Sequence, residues 1–380
     1  MKVALFADTC MPQINGVTNT LSKLIQYFES NKISYKIFAP KYDIEQFDYN
    51  IERFFSLKFF LYNECRIAFP NPQRINSALT EFQPNLIHIL TEFNMGLTGL
   101  YYGRKYRIPT ISTYTTNFSQ YTDYYKVDFL KQAVWDYMKW FHTQNAVTLC
   151  PTHDAQKLLF DHGILNSGIF SRGIDAEKFS PKYRNDDLRK QLNLDHKIAF
   201  LYVGRISFEK DLDILCESYK AIRQKYGNQT VLVMTGDGPY LEKFKAMFPK
   251  DTIFTGFKKG KELSEIYASC DIFICPSSTE TFGNVALEAM ASGIPVIGAD
   301  AGGIGELIQH GDNGLKFKKR DSQELSLLME VLIENSELRD QLQRNGREYA
   351  LNKSWTKIFD KLVDIYHEVI NERKGHGISA

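Results

Sequence analysis

The chain has no long apolar run, and this is the first of several absences that narrow its class. No stretch approaches the roughly 18 to 20 consecutive apolar residues that a membrane-spanning helix needs. The six cysteines include no CxxC pair and no dense framework, so neither a zinc site nor a disulfide scaffold is indicated. Low-complexity tracts and short-period repeats are also absent. The cysteine pattern is typical of a reduced cytosolic protein.

A strong charge of either sign is missing as well. The 46 Lys and Arg residues against 45 Asp and Glu residues leave a net charge of +1, with a pI near 7.6. This balance gives no argument for binding nucleic acid. The opening apolar strand is far too short for a signal segment, so we expect a cytoplasmic protein. The inner face of the cell membrane is included in this expected location.

What the chain does contain is a regular alternation of short apolar runs and amphipathic segments. This alternation predicts α/β domains with parallel sheets, and 380 residues suit two domains better than one. The polar stretch 180–197 marks the boundary, which opens near Gly173. The predicted strands are residues 3–7, 35–40, 86–90, 110–114 and 146–151 in the first half, and 197–203, 230–236, 271–275 and 295–299 in the second.

The segment 271–303 alternates strand, polar loop, helix, strand and glycine loop, and it contains two glutamates eight positions apart. Glu280 lies in the loop after a strand, where ligands bind in open α/β sheets. Glu288 lies in the following helix and suits hydrogen bonds from hydroxyl groups. The alternative interpretation is an ordinary surface loop with a solvated helix.

The start of that helix is predicted to bind an anion. The first amides of a helix have no partner within the helix, and they lie at the positive end of its dipole. A phosphate there, beside carboxylates that accept hydroxyl groups, predicts a ligand with both phosphate and sugar. The predicted donor-binding residues of this turn are Phe282, Gly283, Asn284 and Val285.

Two cations follow the first strand of the second half. Gly204 turns the chain, and Arg205 and Lys210 come within one short loop. Fixed cations at a strand end suit a diphosphate, because charge-assisted hydrogen bonds to phosphate are strong. Gly236, in the loop after the next strand, belongs to the same predicted site. Taken singly, such lysines and arginines are more often solvated surface residues.

The first strand of the chain is followed by a long loop that ends at Asn15 and Gly16, before a helix that begins near Val17. A glycine at a helix start lets backbone amides approach a phosphate without an obstructing side chain. The alternative is a plain tight turn.

Taken in order, these segments resemble the family-4 retaining glycosyltransferases of the GT-B fold, in which two Rossmann-like domains face each other across a cleft. The resemblance covers nearly the whole chain. Within the family, the glycolipid α-mannosyl- and sulfoquinovosyl-transferases are the most similar branch. The matching segments are PQINGVTNTL (12–21), VGR to EK (203–210), SSTETFGNVALEAMASGIPVIG (277–298) and SWTKIFDKLVDIY (354–366).

The resemblance implies an activity and a division of labour. Residues 1–173, with a final helix at about 356–380, would bind the acceptor, and residues 174–355 would bind the nucleotide-sugar donor. The implied reaction is retaining transfer of a sugar to a lipid or glycan acceptor, without a metal or other cofactor. A UDP-sugar is the first expected donor, and a GDP-sugar is the second. Catalytic roles fall to Arg205, Lys210 and Glu280, and Gly16 would reach the donor's distal phosphate.

One segment departs from the family pattern. In YTTNF (114–118), the tyrosine is commonly followed in the family by a histidine at the donor sugar, but this chain has Thr115. Threonine has a hydroxyl but no ionisable ring. We expect an active enzyme with a modified sugar pocket, formed with Asn15, Tyr114 and Asn117; reduced activity is the alternative.

Two aromatic and basic runs, residues 53–62 and 124–141, favour peripheral membrane contact through the N-terminal domain. For the second run, burial of an aromatic helical stripe in the core is the competing interpretation. Two rival functions also stay open, since a sugar-nucleotide epimerase has the same fold and Thr115 is compatible with a non-catalytic nucleotide-binding scaffold. The order of the motifs favours the glycosyltransferase.

Overall fold

The computed structural model describes residues 1–13, 15–42, 49–58, 66–114 and 131–376. It divides into two compact units. Unit 1 comprises Met1–Ser171 together with Thr356–Ala380, and unit 2 comprises Arg172–Trp355. Each unit contains its own parallel sheet, which confirms the predicted α/β class.

Unit 1 is built on a parallel sheet of seven strands among the described residues. Two of its central strands, residues 3–6 and 86–89, are buried on both faces, which explains why they are mostly apolar in the sequence. The strands of this unit are β1 (Lys2–Phe6), β2 (Ser34–Pro40), β3 (Ile51–Phe54), β4 (Ser56–Lys58), β5 (Arg66–Ala68), β6 (Leu86–Ile89), β7 (Thr110–Thr113), β8 (Val147–Cys150) and β9 (Ser167–Ile169). The sheet order is β3-β2-β1-β6-β7-β8-β9, and β4 and β5 form a separate antiparallel pair.

Several helices of unit 1 begin at a residue whose side chain caps the helix. Asn71 caps the second helix, with proline at the first helical position, and Thr152 caps the fifth. The helices are α1 (Gly16–Ser30), α2 (Pro72–Phe82), α3 (Asn94–Lys105), α4 (Lys131–His142) and α5 (His153–Asp161).

Unit 2 repeats the doubly wound pattern. Its strands are β10 (Ile198–Val203), β11 (Thr230–Thr235), β12 (Ile253–Gly256), β13 (Ile272–Cys275), β14 (Val296–Ala299) and β15 (Leu315–Phe317). Its helices are α6 (Asp186–Gln191), α7 (Leu212–Tyr226), α8 (Leu241–Met247), α9 (Gly260–Ser269), α10 (Asn284–Ala291), α11 (Gly302–Leu307), α12 (Ser322–Glu334) and α13 (Ser336–Leu351). The sheet order is β12-β11-β10-β13-β14-β15, so the winding reverses between β10 and β13.

Strand β10 contributes side chains to two hydrophobic clusters of unit 2, one on each face of the sheet. Ala199 and Leu201 pack into the cluster on one face of the sheet, and Phe200 and Tyr202 pack into the cluster on the other. Because both faces are covered by helices, no polar face interrupts the apolar run.

The last helix, α14 (Trp355–His376), belongs to unit 1 for most of its length. Its Tyr366 is buried, and the Tyr366 hydroxyl shares a hydrogen bond with His88 Nδ1 of β6 at 2.6 Å. The other ring nitrogen of His88 is 2.5 Å from Thr113 Oγ1 of β7. His88 is therefore a core residue with both nitrogens engaged.

None of the helices in the described residues is both long enough and apolar enough to cross a membrane. The five cysteines within the described residues are all buried.

Candidate functional site

The predicted residues of unit 2 come together at the carboxyl ends of β10 and β13, where the winding of the sheet reverses. Gly204 and Arg205 directly follow β10, and a short 3₁₀ helix, Phe208–Lys210, ends at Lys210. Glu280 lies in the loop that follows β13. This edge is the usual ligand site of an open α/β sheet.

Lys210 and Glu280 form an ion pair across these two loops. The distance from Lys210 Nζ to Glu280 Oε1 is 2.6 Å, and both side chains are about four-fifths buried. The sequence predicted that both residues belong to one site, and the structure brings them into direct contact. A lysine ammonium has three donors, so Lys210 can keep Glu280 and also bind a phosphate oxygen.

The loops after β10 and β11 are packed backbone against backbone. Gly236 has a φ of 142°, and a Cβ atom at this position would lie 1.9 Å from the Gly204 carbonyl oxygen. The Gly204 amide donates to the Thr235 carbonyl at 3.0 Å. The two predicted glycines thus meet each other, and the contact fixes the backbone from which Arg205 projects.

The glycine loop before α11 supports the Glu280 loop in the same way. The Gly303 amide donates to the Glu280 carbonyl at 2.7 Å. A Cβ atom on Gly303 would lie 2.4 Å from the Cα atom of Phe282, so only glycine fits. Phe282, predicted to bind the donor, is buried in the core under this loop.

The N-terminus of α10 is the turn that the sequence predicts to bind an anion. Gly283 occupies the N-cap position in the left-handed conformation, with a φ of 91°, and no side chain caps the helix. Asn284 and Val285, the first helical residues, are half-buried. The first amides of α10 therefore have no side-chain cap, and anion binding at this turn stays a prediction.

Glu288 lies one turn into α10 and has an unusual environment. The Tyr267 hydroxyl donates to Glu288 Oε2 at 3.0 Å. Burial raises the pKa of Glu288 to about 7, although the Tyr267 hydrogen bond and the nearby Lys178 charge both oppose the shift. Glu288 therefore changes charge near neutral pH.

Sequence analysis missed the residue that joins the loops of this site. Asp211 follows Lys210, is completely buried and has a φ of 49°. Asp211 Oδ2 accepts hydrogen bonds from the Ser278 amide at 2.9 Å and the Ser278 hydroxyl at 2.6 Å. Its Oδ1 accepts from Arg320 Nη1 at 2.6 Å. The sequence showed only an acidic residue before a helix, a common feature that gives no sign of these distant partners.

In unit 1, the predicted Asn15 has a structural role. Its side chain accepts a hydrogen bond from the Thr18 amide at 2.9 Å, and Thr18 Oγ1 accepts from the Asn15 amide at 2.9 Å. This reciprocal pair caps α1, which begins at Gly16. Asn15 Nδ2 also donates to Thr9 Oγ1 at 2.9 Å.

The predicted sugar pocket is described only in part. Tyr114 directly follows β7 and is buried in a small apolar cluster with Trp135 and Met138. Burial raises the pKa of the Tyr114 hydroxyl far above its usual range. Thr115 and Asn117 lie outside the described residues, so their predicted roles stay predictions.

The described residues include no group of three or more His, Cys, Asp or Glu side chains arranged to hold a metal ion. Independence from metal remains a prediction about the reaction.

Comparison with known families assigns both halves of the chain. Residues 184–349 match the family described as "Glycosyl transferases group 1". Residues 14–178 match the family described as "Glycosyltransferase Family 4".

Relatives with named activities are similar over much of the chain. A GDP-mannose-dependent alpha-mannosyltransferase of Corynebacterium glutamicum is 32% identical, and the alignment covers 97% of this chain and 89% of the relative. An alpha-monoglucosyldiacylglycerol synthase of Streptococcus pneumoniae is 30% identical over 78% of this chain and 70% of the relative. The sulfoquinovosyl transferase SQD2 of Arabidopsis thaliana is 30% identical over 79% of this chain and 60% of the relative.

Solved structures share the fold at lower identity. The HepE protein of Anabaena, solved with UDP and glucose, has a TM-score of 0.77 and 19% identity, with 97% of this chain and 100% of that chain covered. Sucrose-phosphate synthase of Thermosynechococcus elongatus has a TM-score of 0.80 and 18% identity, with 98% and 99% covered. These similarities support the two-domain architecture alone.

Proposed function

The chain is a family 4 glycosyltransferase with a group 1 glycosyltransferase domain in its second half, and we propose that it transfers a sugar with retention from a nucleoside-diphosphate sugar to a lipid or lipid-linked acceptor. Its fold is the GT-B fold, and its similarity is to the glycolipid branch of the family. The enzyme acts on sugar-nucleotide donors. Retention of configuration, the nucleotide of the donor and the lipid acceptor are the parts that we propose.

The observation that carries the proposal is the Lys210–Glu280 pair beside the uncapped start of α10. In the proposed complex, Lys210 and Arg205 bind the diphosphate, with the amides of Asn284 and Val285. Glu280 binds the hydroxyl groups of the donor sugar. Such preorganised donors stabilise charge that develops on the leaving diphosphate.

The proposed reaction needs no protein nucleophile. The bond between the anomeric carbon and the diphosphate oxygen breaks, and the acceptor oxygen bonds to the same face of that carbon. The acceptor's proton passes to the leaving diphosphate oxygen. A retaining glycosidase instead uses two carboxylates that flank the scissile bond. Glu280 is paired with Lys210 and Glu288 with Tyr267, which favours roles in binding for both carboxylates.

Two nucleotides are candidates for the donor. UDP was the first expectation from the sequence and GDP the second. The C. glutamicum relative, which aligns over 97% of this chain, has GDP-mannose in its name, and this favours GDP. We therefore propose GDP-mannose as the first donor to test, with UDP-sugars as the alternative. The name of the S. pneumoniae relative contains diacylglycerol, which supports a lipid acceptor.

Transfer to a membrane lipid extract tests the proposal. The purified enzyme is incubated with radiolabelled GDP-mannose or UDP-glucose, in the presence and absence of a chelator. We expect labelled glycolipid, release of one nucleoside diphosphate and unchanged activity in the chelator. The anomeric configuration of the product, determined by NMR, should be that of the donor. An inverted product, or strict dependence on added Mg²⁺ or Mn²⁺, would refute the mechanism.

A further inference from the structure

Unit 2 contains a buried hydroxyl group next to the loop of Arg205. Tyr202, the last residue but one of β10, is 2% exposed, and its ring packs in one of the two hydrophobic clusters of the unit. A phenylalanine ring would fill the same space in this largely apolar cluster. The hydroxyl group of Tyr202 therefore needs an explanation of its own, because burying a hydroxyl group is costly unless it is hydrogen-bonded.

The Tyr202 hydroxyl holds one end of the peptide group that joins Arg205 to Ile206. It donates to the Arg205 carbonyl at 2.8 Å. At the other end of the same peptide group, the Ile206 amide donates to the Asp237 carbonyl at 2.9 Å. Because a peptide group is planar and both of its polar ends are bonded here, its orientation is fixed. This peptide group directly follows the Cα atom of Arg205, so it restricts the direction in which the Arg205 side chain projects.

The neighbouring glycine leaves room for the Tyr202 hydroxyl. A Cβ atom on Gly204 would lie 2.7 Å from the hydroxyl oxygen of Tyr202. Because the Tyr202 ring is buried, a larger residue at position 204 would displace either this hydroxyl group or the loop. The sequence predicted Gly204 as a turn in the donor site, and the structure gives this glycine a second role beside Tyr202.

The charges of the candidate site act on the same hydroxyl group. Burial raises the pKa of the Tyr202 hydroxyl well above its usual range; the Lys210 charge opposes the rise, whereas Cys275 and Glu280 add to it. The hydroxyl group therefore stays protonated near neutral pH and remains a hydrogen-bond donor. Tyr202 thus lies within electrostatic reach of both members of the Lys210–Glu280 pair.

From this arrangement we propose that Tyr202 is a positioning residue for sugar transfer. Its hydroxyl group keeps the Arg205 backbone in one orientation, so that the guanidinium is in place before the donor binds. Such preorganisation is important for the rate, since a displacement of about 1 Å can cost about 10²-fold. The inference rests on the proposed function, in which Arg205 binds the diphosphate. Sequence analysis missed Tyr202, because a tyrosine within a buried strand looks like an ordinary core residue.

Removal of the hydroxyl group tests this role. Tyr202→Phe is compared with Tyr219→Phe, a matched control from the same cluster. The Tyr219 hydroxyl lies beside Thr230, the first residue of β11, at the opposite end of the sheet from Arg205. Transfer to membrane lipid extract, from GDP-mannose or UDP-glucose, should fall about tenfold in Tyr202→Phe, because Arg205 is less well placed. The control should stay within about twofold of wild type, as for a site distant from the reaction.

Two further measurements separate positioning from a general loss of structure. In the Arg205→Ala background, Tyr202→Phe should change the rate by less than about twofold, because residues that act through one group are not additive. Calorimetric titration then compares GDP with GMP, or UDP with UMP. Tyr202→Phe should reduce the preference for the diphosphate several-fold, since Arg205 binds the diphosphate. Its affinity for the monophosphate should stay within about twofold of wild type, which also reports that unit 2 is folded.

The outcomes separate the positioning role from the proposed function. Equal effects of Tyr202→Phe and Tyr219→Phe on transfer would overturn the positioning role while the proposed function stands. A loss that persists undiminished in the Arg205→Ala background would overturn it as well, because Tyr202 would then not act through Arg205. Equal losses of monophosphate and diphosphate affinity would show a general disturbance of the site and have the same consequence. If the wild type binds neither GDP nor UDP, the proposed function fails and the positioning role fails with it.

Discussion

Lys210 is the residue whose environment most directly predicts its effect on rate. It is held 2.6 Å from Glu280, so its ammonium is already fixed where the proposed diphosphate would lie. We expect Lys210→Ala or Arg205→Ala to lower the transfer rate by roughly 10² or more, the scale seen when one preorganised donor is lost. Steady-state kinetics with saturating donor measures this. Lys261→Ala removes an exposed lysine from α9 and serves as the control, with turnover near wild type. Turnover within a few-fold of wild type in both site variants would contradict the assignment.

The raised pKa of Glu288 leads us to expect that nucleotide binding depends on pH. Ribose hydroxyl groups donate best to an ionised carboxylate, and the pKa of Glu288 is raised to about 7. Affinity for GDP should therefore fall as pH decreases from 8 to 6, because the protonated form accumulates. Glu288→Gln should bind more weakly at pH 8 and lose this part of the dependence, whereas Glu280→Gln should retain it. Calorimetric titration at several pH values measures the effect, and comparing variants cancels titration of the nucleotide itself. Identical pH profiles for wild type and Glu288→Gln would exclude Glu288 as the ribose ligand.

The raised pKa of Glu288 also affects the stability of the protein. Affinity for the nucleotide should rise with pH, whereas this contribution to the free energy of unfolding should fall. A carboxyl group with a pKa raised on folding contributes stability below its unfolded value and loses that contribution as pH rises through the folded value. Between about pH 5 and pH 8, the free energy of unfolding of wild type should thus fall relative to that of Glu288→Gln. Urea unfolding at the two pH values gives the comparison.

Among the loops and helices, the connection through Asp211 determines how the Lys210 and Glu280 loops are held together. Asp211 is buried but its partner Arg320 is 51% exposed, so the loss is one of hydrogen bonds to a buried charged group, which typically costs about 1–3 kcal/mol. We expect Asp211→Ala to lower the free energy of unfolding on that scale and to reduce transfer by about tenfold or more, because the Lys210–Glu280 geometry relaxes. Asp213→Asn is the matched control, since Asp213 contacts the same Arg320 at 3.1 Å but is exposed, and exposed pairs contribute about 0–1 kcal/mol. Equal effects of the two substitutions in urea unfolding would show that the connection through Asp211 has no special weight.

The glycine loop before α11 predicts a steric effect. Gly303→Ala would place a methyl group 2.4 Å from the Cα atom of Phe282, so the loop that carries Glu280 must shift. Overpacking of this kind typically costs about 1–3 kcal/mol, and we expect a loss of transfer activity larger than the loss of stability suggests. Gly168→Ala, whose added Cβ would have its nearest contact at 3.5 Å, should be nearly silent. Thermal unfolding and donor affinity of the two variants decide between local displacement and a general loss of packing.

Elements differed in how far the sequence predicted them. For strands buried on both faces, the predicted ends differ from the observed ends by no more than one residue. Examples are β10 (197–203 predicted, Ile198–Val203 observed) and β14 (295–299 predicted, Val296–Ala299 observed). The edge strands β3 (IERF) and β15 (LKF) were missed, because charged residues interrupt their apolar runs. The sequence assigned Lys210 and Glu280 to one site because each follows a strand, but it did not predict their contact. Asp211 was missed because its partners lie 67 and 109 residues away.

For the whole molecule, the return of α14 to unit 1 is the feature that the sequence did not predict by itself. Amphipathic periodicity predicts a helix but not which sheet it covers, and only the family resemblance implied its destination. The structure supplies the physical reason: Phe359, Leu362 and Tyr366 are buried in unit 1, and Tyr366 satisfies a nitrogen of the buried His88.

This arrangement predicts that the two units respond differently to substitutions in α14. Tyr366→Phe leaves His88 Nδ1 buried without its partner, at a cost of about 1–3 kcal/mol. Tyr366→Ala adds a cavity and should cost about 3–5 kcal/mol, the range for large aromatic truncations. Both substitutions destabilise unit 1, whereas the proposed nucleotide site lies in unit 2. Because effects at distant, independent sites do not influence each other, affinity for GDP should change by less than about twofold. Calorimetric melting with and without GDP measures both effects, because a ligand raises the melting temperature of the unit that binds it. We expect the Tyr366→Ala protein to show an early transition that GDP does not shift, followed by a later one that GDP raises. If a single transition moves down and GDP shifts all of it, the two units unfold together and the stability of α14 is shared by the whole chain.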